Sequence, residues 1–358
     1  MEDLKAMTRK ELAALAKELG QPAFRGNQLF DWMLKGAEDF EQLTNLPVDF
    51  RRALSNRAYI SFARIERKFI SQIDGTVKYL FRLRDGKYVE SVVMEYKHGR
   101  SICISTQVGC RMGCAFCAST IGGMERCLTA GEMLSQIFTA SRDLNVRISN
   151  VVLMGMGEPL DNFDQTMRFL KLVGEEKGLS IGARHISLST CGLVDRIREL
   201  AAEKSQITLS VSLHAPNDEI RSRIMPVNRK WPVEELLSAC REYTKETGRR
   251  ISFEYAMING LNDSDDCARM LANQLKGMLC HVNLIPANSV KESAFSSSGK
   301  QRLRCFQNIL NKHGVNATVR RTLGADISAS CGQLRKAVKN EPPCERGDEG
   351  DEDRQCDP

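Results

Sequence analysis

Cys103-Ile104-Ser105-Thr106-Gln107-Val108-Gly109-Cys110-Arg111-Met112-Gly113-Cys114-Ala115-Phe116-Cys117 carries three cysteines, Cys110, Cys114 and Cys117, at the spacing C-x3-C-x2-C. One loop with that spacing can wrap a small inorganic cube and ligate three of its corners, and three thiolates suit an iron–sulfur cluster. A four-iron cluster usually takes four cysteines, so a compact triple without a nearby fourth leaves one iron open to something other than protein. Gly109 and Gly113 flank the ligands, where residues without a β-carbon let backbone approach closely and take positive φ. The competing reading is structural zinc, which wants four protein ligands and draws them from two C-x2-C-like pairs. The other ten cysteines hold no second close pair, which favours iron–sulfur.

At 358 residues the chain has room for one large domain and a small one. No run of about 18 uncharged apolar residues occurs, and Met1-Glu2-Asp3-Leu4-Lys5 lacks a secretory apolar core, so the sequence predicts a cytoplasmic protein with no membrane partner. Thirteen cysteines in such a chain point to metal or redox chemistry in a reducing compartment. The formal charge of +6 understates the body: residues 341–358 hold eight acids against Arg346 and Arg354, a balance of −6, which leaves +12 for the rest. A body that basic is an electrostatic footprint for an RNA partner, against the plainer reading of a solvated surface. Residues 340–358, with Pro342, Pro343, Gly347 and Gly350 among the acids, read as a disordered acidic tail.

Upstream of the cysteines, Leu12, Leu15 and Leu19 recur at helical spacing, Phe24 to Leu34 is a second amphipathic run, and a third helix follows Asn45-Leu46-Pro47. Residues 1–58 therefore read as a small helical domain with Phe24, Phe30 and Trp32 in its core, and with Arg25, Arg51 and Arg52 as candidates for phosphate contact. Residues 59–100 change to a period of two. Lys78 to Arg84 leads through Asp85-Gly86 to Lys87 to Met94, a β-hairpin signal whose second strand carries Glu90 among apolar neighbours. An exposed strand glutamate is the plain reading of that residue.

Downstream, residues 101–339 alternate strands (101–106, 150–154, 185–189, 207–213, 251–257, 281–285) with helices (130–143, 163–175, 193–203, 232–247, 263–276, 300–313). The pattern predicts a parallel sheet or barrel of six βα units, with function gathered at the C-terminal ends of the strands. Those ends read Gly155-Met156-Gly157-Glu158-Pro159, Ser189-Thr190-Cys191-Gly192, Ser212-Leu213-His214-Ala215-Pro216-Asn217-Asp218 and Pro286-Ala287-Asn288. A carboxylate beside a bare glycine backbone suits the amino group of an amino-acid-like ligand. Taken alone, His214 is more often a satisfied core residue. Arg221, Arg223, Arg229 and Lys230 form a basic patch that suits phosphate contact, with a solvated charged face as the alternative.

The cysteine triple resembles the signature of the radical S-adenosylmethionine (SAM) enzymes. Over residues 5–340 the chain more narrowly resembles the RlmN/Cfr family of RNA adenine methyl synthases. Gly324-Ala325-Asp326-Ile327-Ser328-Ala329-Ser330-Cys331-Gly332-Gln333-Leu334 is similar to that family's G-x-D-I-x-A-A-C-G-Q-L element, with Ser330 in place of one alanine. Phe24, Arg25, Gln28 and Trp32 match its F-R-x-x-Q-x-x-x-W pattern in an RNA-binding N-terminal domain.

The resemblance implies an α/β fold, a partial (β/α)6 barrel, preceded by the helical domain and the β-hairpin extension. It implies a [4Fe-4S] cluster on Cys110, Cys114 and Cys117, and SAM contacts at Gly157, Glu158, Ser189, Ser212, Leu213, His214 and Asn288. Glu90, thirteen residues before Cys103, takes the family's general-base position, and Cys103 and Cys331 its two catalytic cysteines. Two SAM molecules are implied per turnover. One methylates Cys331; the other yields a 5'-deoxyadenosyl radical that takes hydrogen from the S-methyl group. The methylene radical adds to adenine, Glu90 removes the ring proton, and Cys103 attacks the Cys331 sulfur to form a transient disulfide. Implied partners are 23S rRNA, tRNA and an electron donor such as flavodoxin or ferredoxin, for a monomeric enzyme acting at adenine C2. Action at C8, as in Cfr, is the first alternative, a non-catalytic iron–sulfur RNA-binding regulator the second, and a small-molecule radical SAM enzyme the third.

Overall fold

The computed structural model describes residues 1–97, 99–288, 295–330 and 332–334; Cys331 and the acidic tail, residues 340–358, lie outside the described residues. In chain order the first elements are β1 (Glu2–Asp3), α1 (Arg9–Glu18), α2 (Phe24–Leu34), α3 (Val48–Arg57) and β2 (Ala58–Tyr59), with β1 and β2 paired in parallel. Thr8 opens α1 with a reciprocal capping box to Glu11, which satisfies backbone donors that the first helical turn leaves bare. The three helices bury Leu12, Leu15, Leu29, Phe30 and Phe50 against one another as a core of their own.

Of the three aromatics expected in that core, Phe30 is buried and Trp32 half-buried, but Phe24 is 52% exposed. It is the first residue of α2, off the stripe of Leu29, Phe30 and Met33, and the Arg25 guanidinium lies 5.0 Å from its ring centroid. Arg25 also donates to Gln28 and to the Asn45 carbonyl, and Arg51 to the Glu41 carbonyl.

Four antiparallel strands follow: β3 (Ala63–Ile70), β4 (Val77–Leu83), β5 (Tyr88–Tyr96) and β6 (Gly99–Cys103). The short pair β7 (Gln107–Val108) and β8 (Arg126–Cys127) then brackets the cysteine loop. Beyond it run α4 (Ala130–Leu144), β9 (Ile148–Leu153), α5 (Phe163–Val173), β10 (Ile186–Thr190), α6 (Val194–Ala202) and β11 (Thr208–Ser212). The series closes with α7 (Asp218–Ile224), α8 (Val233–Thr247), β12 (Ile251–Met257), α9 (Asp265–Leu275), β13 (Cys280–Pro286), α10 (Lys300–Lys312) and β14 (Ala317–Val319).

One sheet carries ten strands in the order β14-β13-β12-β11-β10-β9-β6-β5-β4-β3. From β6 to β14 neighbours are parallel, from β3 to β6 antiparallel, and the sheet stays open, as an α/β partial barrel does. The Asp85-Gly86 hairpin is present, but it belongs to this sheet: β5 pairs along β6, with Val92 opposite Cys103, so the expected extension and barrel share one surface. Two short elements, α7 and β14, escape sequence periodicity because seven and three residues hold too few repeats.

Side chains alternate across each strand. Val151, Leu153, Leu188, Leu209, Val211, Phe253, Tyr255, Val282 and Leu284 point to the helices and form the main core. The alternate positions include Ser189, Ser210, Ser212, Glu254 and Asn283, with Val152 apolar beside Cys103, so much of the inner face is polar and free to build a site. Asp3 pins the helical domain to this body: it is buried and accepts from the Ser61 N–H and the Thr129 hydroxyl just before α4. Among the described residues no helix is long and apolar enough to cross a membrane.

Candidate active site

The cysteine loop owes its shape to glycine. Gly109 has φ +79°, and a β-carbon there would stand 2.0 Å from the Gly123 carbonyl oxygen, a contact no other residue tolerates. Cys110, Cys114 and Cys117 all face one cavity, whose empty volume of about 1120 Å³ includes its open mouth. Among the described residues no three His, Cys, Asp or Glu side chains are grouped to hold a single metal ion. Three thiols lining one cavity without a fourth protein ligand among the described residues suit the corners of a polynuclear cluster better than a lone zinc ion. Burial pushes the pKa of the Cys110 thiol up to about 12 and that of Cys114 well above its ordinary value; Cys117 adds to both rises, and Cys110 to that of Cys114. Bound iron reverses that balance, since a coordinating thiol gives up its proton to the metal's charge. The donor set, the glycine-shaped loop and the adjoining cavity therefore fit an iron–sulfur cluster. Cys114→Ala is expected to cost the reconstituted protein its iron and its brown colour, and a variant that keeps a full complement of iron by colorimetric assay refutes the ligand assignment.

Much of the remaining lining comes from the strand ends. Gly157 (φ +101°) and Glu158 follow β9; a β-carbon on Gly157 would stand 2.6 Å from the Gln107 β-carbon. Glu158 is fully enclosed, and burial pushes its carboxyl up, opposed by the N–H groups of Leu160 (3.0 Å) and Cys191 (2.7 Å) that donate to it. Ser189 on β10, Ser212 on β11, His214 after it and Asn288 after β13 line the same cavity. Leu213 does not: its side chain is fully buried in the main core, because strand alternation turns it away from its neighbours Ser212 and His214.

His214 sits in the left-handed region at φ +58°, a strained backbone for histidine that the Asn262 side chain holds by donating to its carbonyl at 2.7 Å. Its Nδ1 accepts the Ala256 N–H at 2.9 Å, so the neutral ring carries its proton on Nε2. Burial depresses its pKa to about 3, with the Arg221 charge adding to the effect. Below pH 6.5 the unfolded chain thus takes up a proton that the folded one refuses, so the contribution of His214 to stability is present in full above that pH and is lost progressively as the pH falls toward 3. Urea unfolding at pH 7 and pH 5 is expected to show this loss in the wild type and not in His214→Asn; equal slopes refute the assignment.

Sequence reasoning missed Glu254 and misread Arg221. Glu254 is buried on the inner face of β12, accepts from Asn283 (2.8 Å), stands 3.5 Å from Arg320 and lines the cavity. A lone carboxylate inside the apolar strand Ile251–Met257 was its only signal. Arg221 cannot serve the expected phosphate patch. It is fully buried and donates to the carbonyls of Leu213, Ser212 and Cys191 and to Asn228 Oδ1, so it ties α7 to the ends of β10 and β11.

Beside the main cavity, Cys103 on β6 packs in a small cluster with Val92, Met94, Met156, Ala329 and Leu334. Glu90 lies on β5 two residues from Val92, hence on the same face, and is buried in an ion pair with Lys78 at 2.9 Å. The loop that carries the expected Cys331 folds back over this face. Asp326 accepts from the Ser71 hydroxyl and the Gln72 N–H, the Ala118 N–H donates to the Gly332 carbonyl, and the Ser119 hydroxyl to that of Leu334. Residues on both sides of position 331 thus contact the cysteine loop or the Cys103 cluster, and Gly332 lines the main cavity.

Residues 104–271 match the Radical SAM superfamily, and residues 2–60 the ribosomal RNA large subunit methyltransferase N-terminal domain. The chain is 54% identical over 334 residues to the probable dual-specificity RNA methyltransferase RlmN of Alkaliphilus oremlandii, covering 93% of this chain and 97% of that protein. To the protein of the same name from Clostridium tetani it is 53% identical over 318 residues, covering 88% and 91%. A radical SAM methyltransferase from Sphaerobacter thermophilus superposes with a TM-score of 0.88 at 44% identity, covering 93% of this chain and 99% of that one. With the cysteine loop, the strand-end wall and the C-terminal loop on one sheet face, the chain belongs to the RlmN family of radical SAM RNA methyltransferases.

Proposed function

We propose that the enzyme methylates C2 of an adenosine in 23S rRNA, and of one beside the anticodon in tRNA, by a ping-pong route through Cys331. The observation that carries this reading is the return of residues 323–330 and 332–334, which flank position 331, onto the face shared by Glu90, Cys103 and the cysteine loop, which suits one reaction needing all of them. Cys110, Cys114 and Cys117 would hold a [4Fe-4S] cluster beside the cavity that would take SAM, and such a cluster would supply the electron that radical chemistry needs.

The chain's own residues do the rest. Gly157 offers bare backbone, while Glu158, Ser189, Ser212, His214 and Asn288 offer polar groups around one volume, enough to orient the amino acid end and the nucleoside of SAM. The Cys331 thiolate would accept a methyl group from one SAM, which leaves as S-adenosylhomocysteine; a 5'-deoxyadenosyl radical from a second SAM would take one hydrogen atom from that methyl group, and the methylene left on sulfur would add to the adenine. Glu90 takes the ring proton, and the Cys103 thiolate attacks the Cys331 sulfur to release the product by thiol–disulfide chemistry. The basic body, +12 apart from the tail, suits the RNA backbone. A cytoplasmic monomer that draws electrons from flavodoxin or ferredoxin completes the reading.

The test is mass spectrometry of nucleosides from 23S rRNA and tRNA after incubation with anaerobically reconstituted protein, SAM and reductant. Formation of 2-methyladenosine in both is expected. Formation of 8-methyladenosine instead overturns the regiochemistry, and the absence of methylated adenosine with an intact cluster overturns the reading.

A further inference from the structure

Lys78 is buried on the inner face of β4, opposite Val92 in register, where a cation needs a reason to be. Its Nζ stands 2.9 Å from Glu90 Oε1, with both side chains under one-tenth exposed, and it donates to the Ser328 carbonyl at 3.2 Å. Ser328 lies three positions before Cys331 and is itself held in the left-handed region, at φ +49°. The Phe69 ring closes over the ammonium at 5.8 Å. One ammonium therefore joins the carboxylate on β5 to the loop that carries Cys331.

We propose that Lys78 is a positioning residue, which aims the Glu90 carboxylate at the substrate carbon only when the C-terminal loop is docked. The inference rests on Glu90 being the base. In the step concerned, a ring C–H bond breaks, an O–H bond forms on Glu90 and the electron pair stays on the ring; the ammonium keeps its own proton throughout. A carboxylate anchored at one oxygen by a buried ammonium keeps its plane and direction, whereas the loss of that charged donor removes the strongest of the contacts that orient it. The Ser328 contact makes this order conditional. If the loop lifts, the ammonium loses its second acceptor and the base loses its fixed aim, so proton removal is coupled to delivery of the methyl-bearing cysteine.

The test uses the full-length, cluster-reconstituted protein with SAM, reductant and an RNA fragment. Lys78→Met is expected to keep its iron and to accept a methyl group on Cys331, steps that do not use the base. Methyladenosine formation is expected to fall about 100-fold, the lower end of what a general base supplies, while a covalent protein–RNA adduct builds up on denaturing gels. Lys78→Arg, which keeps a charged donor, is expected to recover most of the loss. If Lys78→Met loses iron, Lys78→Gln, a neutral donor, is read in its place by the same criteria. Turnover near wild type, or a loss of product without adduct in a protein methylated on Cys331, overturns the proposal. Glu90→Gln separates the two ideas. Full activity in Glu90→Gln sinks the base assignment itself, whereas an inactive Glu90→Gln beside a normal Lys78→Met sinks only the role given to Lys78.

Discussion

Cys103→Ala protein is expected to remain covalently joined to its RNA after a single turnover, with multiple-turnover methylation lost. In the proposed sequence the methylene bridges the Cys331 sulfur and the adenine ring, and only a second thiol in line with that sulfur can cut the bridge. A disulfide needs α-carbons within about 7 Å, which demands that two cysteines 228 positions apart be brought side by side. Cys103 is buried in the cluster that also holds Ala329 and Leu334, so both arms of the loop around position 331 already pack against its surroundings. Removing the thiol leaves methylation of Cys331 and attack on RNA intact and blocks release. Denaturing gels and nuclease digestion followed by mass spectrometry of the protein read the adduct directly. A Cys103→Ala variant that turns over like wild type denies Cys103 any resolving role.

Arg221→Met is expected to cost about 3–5 kcal/mol of stability, enough to deplete the folded protein, because it leaves several buried neutral acceptors without a donor, at about 1–3 kcal/mol for each one that stays unpaired. Four acceptors depend on this guanidinium, three of them backbone carbonyls at the strand ends that shape the cavity floor. Water cannot replace it, since the side chain is fully buried. Arg221→Lys is expected to recover little, because one ammonium cannot span acceptors that a planar fork reaches at once. Urea titration of the two variants against wild type measures the loss, and a change below about 1 kcal/mol, the ordinary effect of a point substitution, refutes the keystone role.

Both residues show where the boundary of sequence reading falls. Arg221 stands among Arg223, Arg229 and Lys230, and nothing in that local run separates a keystone from a solvated charge. The difference arises only when α7 folds back beneath β10 and β11. Glu254 and Lys78 were silent for the same reason: a charge inside a strand acquires its meaning from residues on neighbouring strands, Asn283 and Arg320 for one, Glu90 and Ser328 for the other. Phe24 carried the converse error, an aromatic in an amphipathic run that the helix start leaves exposed.

What could be read directly was local. Cysteine spacing over eight residues determines how a loop can embrace a cluster, the period of two or 3.6 determines which face of an element is apolar, and Asp85-Gly86 determines a hairpin. The roles of Glu90 and Cys103 came from resemblance, since a lone glutamate and a lone thiol look like ordinary strand residues. Local geometry is encoded by neighbours a few bonds apart, so the sequence by itself determined most of the elements, their βα alternation and the spacing of the cysteine loop, while α7, β14 and the joining of the hairpin to the main sheet came only with the fold. The joining of Lys78, Glu90, Cys103 and residues 323–330 on one inner face, and the burial of Arg221, depend on strand register and on the return of the chain. The physical cause is burial: only tertiary packing removes the water that would otherwise leave those charges independent of one another.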